Sequence, residues 1–337
     1  MNSNDYLGDP IEHIDIKTHD LASLIEAMSK MSFQARNLAN AASIYQQMLA
    51  DRSCCIMLTL AGSLFSAGLK QVVIDMINFN MVDVIISTGA NIVDQDFFEA
   101  IGFRHYKGNP YLDDEELRAA QLDRIYDTLI REDELRICDK AIQEIADSLG
   151  SGIYSSRQFI AAMGEWLTTR SNRVESVVET AYKKNVPIFV PAFSDCSAGF
   201  GLVSHQHKRP DSHVAIDSVK DFRELTRIKI NCRRTGLLMI GGGAPKNFAQ
   251  DTVVAAELIG EETEMHRYSI QITVADERDG ALSGSTLKEA HSWGKVNKAS
   301  EQMVYCEATI AMPLLVNSAY HSKCWQERLA KQLATTF

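Results

Sequence analysis

Along the 337-residue chain, apolar positions follow two alternating patterns. Between Asp20 and Asp51 they recur every three to four residues, which predicts one long amphipathic helix. The continuous apolar run C-C-I-M-L-T-L (54–60) then predicts a buried strand. Five further runs have the same character: V-D-V-I-I-S-T-G (82–89), P-I-F-V-P-A-F (187–193), G-L-L-M-I-G (236–241), Y-S-I-Q-I-T (268–273) and Q-M-V-Y-C-E (302–307). Helical patterns such as L-K-Q-V-V-I-D-M-I, D-Q-D-F-F-E-A-I, V-E-S-V-V-E-T-A-Y and F-A-Q-D-T-V-V-A-A-E-L-I lie between most of them. Strands without a polar face, alternating with helices, imply an α/β fold with a doubly wound, mostly parallel sheet covered on both faces. The charged stretch 105–175, which includes D-D-E-E-L-R-A-A-Q-L-D-R-I-Y, predicts a helical insertion over that sheet. No low-complexity linker cuts the chain, so residues 1–337 are expected to form a single domain.

In such a sheet, ligands bind beyond the carboxyl ends of the strands. Small residues collect there: A-G-S after the first strand, T-G-A-N after the second, and G-G-G-A-P-K (241–246) after L-L-M-I. Glycine lets backbone N–H groups approach a phosphate, and a following helix dipole favours its charge. Three such loops point to a dinucleotide on a Rossmann-like sheet, although neither G-x-G-x-x-G nor the P-loop pattern is present.

Composition removes several alternatives. A net charge of -10 speaks against a nucleic-acid surface. No apolar stretch approaches the roughly 20 residues that span a bilayer, and the polar, acidic amino terminus lacks the plan of a secretory signal. A cytoplasmic location is expected. The seven cysteines (Cys54, Cys55, Cys138, Cys196, Cys232, Cys306 and Cys324) include no C-x-x-C pair and read as reduced thiols. Cys196 in S-D-C-S is read as packed in the interior. The histidines of H-Q-H-K-R-P-D-S-H (205–213) read as a loop facing solvent, because no second ligand cluster accompanies them, and no metal is expected.

The stretch S-W-G-K (292–295) follows the loop D-G-A-L-S-G-S (279–285) and a short helical K-E-A-H (288–291). The run D-G-A-L-S-G-S-T-L-K-E-A-H-S-W-G-K-V, with M-I-G-G-G-A-P-K before it and E-A-T-I-A-M-P-L-L-V after it, resembles deoxyhypusine synthase. The likeness extends through P-A-F-S-D-C-S-A-G, N-M-V-D-V-I-I-S-T-G and A-G-S-L-F-S-A-G, most of residues 50–320. The S-W-G-K block is its most specific part.

The resemblance implies a reaction. Enzymes of that family use NAD to dehydrogenate spermidine, hold the butylimine on a lysine, and pass it to a lysine of a translation-factor precursor. Lys295 matches that enzyme lysine; an amine forms an imine only when unprotonated. Trp293 matches the wall that packs along the polyamine; a core tryptophan is the plainer alternative. Glu289 matches an acid that grips a substrate amino group. Ser66, Thr88, Gly89, Asp195, Gly241, Gly242, Gly243 and Asp279 match cofactor positions, and Glu307 with Ala308 matches an Asp-Ala pair at the adenosine end. The family also implies a homotetramer with active sites shared across a dimer interface.

Three positions depart from the family pattern. Phe200 stands where a substrate-holding aspartate follows glycine, Asn247 where a histidine follows the glycine-lysine motif, and Leu282 where the loop has another aspartate. Losing one charge partner of a buried ammonium costs roughly 3–5 kcal/mol, enough to change which amine binds. The expectation is therefore an NAD-dependent aminoalkyl transferase with an altered amine pocket. Homospermidine-type synthesis with a small-amine acceptor, or use of agmatine, are alternatives. T-G-A-N also resembles a sirtuin loop, which leaves an NAD-consuming deacylase or a non-catalytic NAD-binding protein as readings from other classes.

Overall fold

The structure is a computed structural model, and it describes residues 3–170, 174–232, 234–280 and 285–337. Its centre is a six-stranded, wholly parallel sheet: β1 (Cys55–Leu60), β2 (Val84–Ser87), β3 (Ile188–Phe189), β4 (Thr235–Ile240), β5 (Tyr268–Thr273) and β6 (Glu301–Tyr305). These fall on the six apolar runs, with ends that shift by up to four residues. They lie side by side as β3-β2-β1-β4-β5-β6, the strand order of dinucleotide-binding sheets. Register runs from Cys55↔Thr235 to Leu60↔Ile240 between β1 and β4, and from Met57↔Val84 to Leu60↔Ser87 between β1 and β2.

Both faces of the sheet are buried, with successive side chains serving opposite cores. Ile56, Leu58 and Leu60 of β1 join the larger core under helices Phe33–Ala50, Lys70–Asn78 and Ala308–Ser322. Cys55 and Met57 point the other way, toward Leu225 and Ile228 of helix Ser218–Cys232. Double burial is why these strands read as unbroken apolar runs.

Three expectations are corrected. The single helix over 20–51 is two, Ala22–Met28 and Phe33–Ala50. Serines flank the break, and the Ser29 hydroxyl donates to the Glu26 carbonyl, competing with the helix ladder. The stretch 105–175 is not purely helical. Beside helices Asp114–Ala119, Glu132–Ser148 and Ser156–Thr168 it holds a small antiparallel sheet of Tyr106–Lys107, Thr128–Arg131 and Leu122–Ile125. Leu122 and Leu129 face a small core with Leu117, so alternation over a few residues, masked by the charges around it, was the strand signal. Finally, His205 is buried on helix Ser197–Lys208 rather than in a solvent-facing loop. Its Nδ1 meets Asp147 at 2.6 Å and its Nε2 accepts from the Val214 backbone N–H at 3.0 Å. Among the described residues no group of histidine, cysteine and carboxylate side chains is placed to hold a metal, and no helix is long and apolar enough to cross a membrane.

Candidate functional site

The strand order reverses between β1 and β4, and a cleft of about 500 Å³ opens at that point, within the range of about 300–1,000 Å³ usual for ligand sites. Loops from five strands line it: Ala61–Ser63 after β1, Ser87–Ala90 at the end of β2, Pro191, Ala192 and Asp195 after β3, Gly242–Pro245 after β4, and Ala275 after β5. Thr88, Gly89, Asp195, Gly242 and Gly243 are thus brought together. Gly241 lies at the root of its loop with φ +78°, and a Cβ there would sit 2.8 Å from the Ala61 Cβ, so glycine allows the β1 and β4 loops to converge. Gly242 caps helix Gly243–Gln250, whose first turn faces the cleft and tolerates Pro245 because no intrahelical partner awaits its N–H. The Thr88 hydroxyl donates to the Gly62 carbonyl at 3.0 Å, tying two loops together. Cys196 packs behind the cleft, since a Cβ on Gly89 would lie 2.5 Å from its Sγ. Burial pushes that thiol well above its ordinary range, which makes it a poor nucleophile.

Lys295 belongs to a second arrangement, outside the lining of that cleft. Helix Leu287–Ser292 opens with a capping box: the Thr286 hydroxyl accepts from Glu289 N at 3.2 Å, and a Glu289 carboxylate oxygen accepts from Thr286 N at 2.5 Å. It closes with Gly294 N donating to His291 O at 2.9 Å and Lys295 N to Ala290 O at 3.0 Å. That is the Schellman pattern, with Gly294 supplying the left-handed residue at φ +72°. The glycine of S-W-G-K therefore exists to reverse the chain and deliver Lys295. His266 N then donates to Lys295 O at 2.9 Å, fastening the turn beside the start of β5.

The Lys295 side chain is 18% exposed, and its Nζ lies 2.5 Å from Oδ1 of Asp251. The same ammonium stands 5.3 Å from the centre of the Trp293 ring, within cation–π range. Trp293 is 70% exposed, so it is a surface wall and not a core tryptophan. Lys246 comes from the glycine loop side. It is fully buried and donates to the Ser285 carbonyl at 2.7 Å and hydroxyl at 2.6 Å. Burial lowers its pKa to about 8; the Glu289 carboxylate opposes that shift and the Lys295 ammonium adds to it.

Other positions scatter. Asn247 is exposed on the outer side of helix Gly243–Gln250, one turn before Asp251. Phe200 is 60% exposed on helix Ser197–Lys208 and does not line the cleft. Ser66 is buried, its N–H and hydroxyl bonded to Gln95 Oε1 and Ser63 O. Asp279 is exposed in a turn closed by its N–H to Asp276 O at 3.1 Å. Glu307 caps helix Ala308–Ser322 at the carboxyl end of β6, accepting from Thr309 N at 2.8 Å, with Ala308 as the first helical residue. Leu282 lies outside the described residues. Asp251 and Lys246 were missed by sequence reasoning. Lys246 belongs to the G-G-G-A-P-K motif, and its place in the first turn of an otherwise apolar-facing helix was the available signal; Asp251 carried none beyond its spacing of four from Asn247.

A sequence model of deoxyhypusine synthase matches residues 23–319. The chain is 62% identical over 332 residues to a deoxyhypusine synthase-like protein of Chlorobaculum tepidum, covering 98% of this chain and 95% of that one. It is 57% identical to a protein of the same description from Coxiella burnetii, covering 98% and 94%. A crystal structure from Entamoeba histolytica, described provisionally as a deoxyhypusine synthase, superposes with a TM-score of 0.61 at 20% identity, over 95% of this chain and 99% of that one; at that identity the likeness is one of fold.

Proposed function

We propose, from the premise that this chain belongs to the deoxyhypusine synthase family, that it is an NAD-dependent aminoalkyl transferase that carries its cargo as an imine on Lys295. The single observation behind this reading is the turn that delivers Lys295 to an aromatic face and a carboxylate. A lysine whose only task was solubility would need neither.

The cleft has the features NAD requires. Its volume suits a nucleotide, its loops converge through Gly241, and the buried Ser87 hydroxyl on its wall has no hydrogen-bond partner among the described residues. Thr88, Gly89, Gly242 and Gly243 would hold the phosphates, Asp195 and Asp279 the nicotinamide half, and Glu307 with Ala308 the adenosine end. NAD, when bound, would supply the oxidation of the donor amine and the matching reduction after transfer. The protein's own residues do the rest. Trp293 covers the aliphatic chain of the amine, Glu289 faces an ammonium while holding its capping box, and Lys295 holds the carbon cargo until a second amine replaces it. With Phe200 and Asn247 standing where the family has an aspartate and a histidine, the preferred donor differs from that of other members of the family.

The acceptor is a protein lysine, as on a translation-factor precursor; the surface position of Trp293 leaves the rim open to a macromolecule. A small diamine acceptor, as in homospermidine synthesis, uses the same machinery. Exposed Phe200 is a surface that a homotetramer would cover, and seven free thiols suit a reducing cytoplasm. The test is to incubate purified protein with NAD and separately with spermidine, putrescine or agmatine, reduce with borohydride, and measure intact mass. A stable adduct that requires NAD supports the transferase; NAD binding without any adduct from the three amines contradicts it, and nicotinamide release without adduct would point to a deacylase.

A further inference from the structure

We propose that Asp251 is a donor-binding carboxylate, occupied in the resting enzyme by the Lys295 ammonium and taken over by a terminal alkylammonium of the donor amine. The proposal rests on the reading of Lys295 given above and adds to it the group that decides when Lys295 is released.

The geometry is that of a cation site already holding a cation. Lys295 Nζ lies between Oδ1 of Asp251, at 2.5 Å, and the face of Trp293, at 5.3 Å from the ring centre. An ammonium between a carboxylate and an indole is the arrangement that recognises alkylammonium ligands generally. The resident engages Oδ1 through one flexible lysine side chain. A free amine of suitable length can approach the same carboxylate along its own axis and take its place.

Asp251 is also well anchored for such a role. It sits at the junction of helices Gly243–Gln250 and Thr252–Leu258, its N–H donating to Asn247 O at 2.9 Å and its carbonyl accepting from Ala255 N at 2.9 Å. Its side chain is 40% exposed, so a ligand can reach the carboxylate. The site further answers a chemical need, because a pocket that must bind a cation needs a carboxylate, and Asp251 brings one directly beside Lys295. Once the donor's ammonium takes Asp251, Lys295 loses its counter-charge and is freed to turn toward the donor's carbon. Binding of the right amine thereby releases the nucleophile.

Competition for one carboxylate gives opposite signs to two substitutions, which a purely structural role for Asp251 cannot do. Calorimetric titration of spermidine and of 1,4-diaminobutane, without NAD so that no turnover occurs, is the test. Asp251→Asn should weaken amine binding at least tenfold, Asp251→Glu should recover part of it, and Lys295→Met should tighten binding several-fold by removing the resident cation. The double variant should bind no tighter than Asp251→Asn alone. Unchanged affinity in Asp251→Asn, or unchanged or weaker affinity in Lys295→Met, overturns the proposal, as does failure of the wild type to bind either amine. Titration separates this inference from the transferase reading: binding with these signs but no borohydride adduct would leave the cation site standing and remove the imine chemistry.

Discussion

Lys246 and Lys295 sit close enough for the Lys295 ammonium to act on Lys246, yet their surroundings differ in kind. Lys246 is sealed in the interior, donating to the neutral carbonyl and hydroxyl of Ser285, and burial brings its pKa down to about 8. Lys295 is partly exposed, mounted on a glycine turn, and held by an ion pair to a carboxylate that is itself 40% exposed. Burial alone makes an amine easier to deprotonate, but it also closes off the approach of a substrate. Of the two, Lys246 is thus suited to securing the start of the Ser285 segment, and Lys295 to covalent chemistry. A depressed pKa does not by itself mark the nucleophile; access and an exchangeable partner do.

Substitutions can break that contrast at several points. The largest effect is expected from Lys295→Ala, which should abolish the NAD-dependent borohydride adduct, while Lys246→Met should still form one. Next, Gly294→Ala keeps the lysine but forces a side chain into the left-handed region, at a cost of about 1–2 kcal/mol; thermal unfolding should report that loss and trapping should fall by about tenfold, each 1.4 kcal/mol being a factor of ten. Glu289→Gln retains the reciprocal hydrogen bonds of the capping box but removes the charge. Stability should stay within about 0.5 kcal/mol while the donor KM rises; Glu289→Ala should lose on both measures.

The smallest effect concerns pH. A lysine whose folded pKa lies near 8 against 10.5 in the unfolded chain is less protonated when folded. Between those values the unfolded state binds more protons, so the wild type gains stability as pH rises through that window. Lys246→Met, of similar volume and without the charge, should match or exceed the wild type at pH 7, and its advantage should shrink from about pH 8 to 10.5 in chemical denaturation. A constant difference across that range would mean that Lys246 is charged in both states.

Much of this was legible in the chain. All six strands of the sheet were visible because double burial leaves no polar face to blur them, and the glycine loops marked where strands end. The break at Ser29–Ser32 was hidden, because the apolar spacing continues through it while local serine hydrogen bonds decide the ends. The antiparallel strands near Leu129 were too short to show a period among so many charges. His205 looked solvent-facing because its partner, Asp147, is 58 residues away. The same limit hid Asp251: its pairing with Lys295 spans two helices and a turn, and no spacing rule connects them. Glu289 was visible as an acid beside the lysine, but its capping role emerged only with Thr286 in place.

The most direct measurement is a peptide map of the borohydride-reduced protein after incubation with NAD and donor amine, asking which lysine carries the mass. The adduct should reside on Lys295, with Lys246 unmodified. An adduct on Lys246, or one distributed over surface lysines and persisting in Lys295→Ala, would contradict the assignment of Lys295 as the covalent carrier.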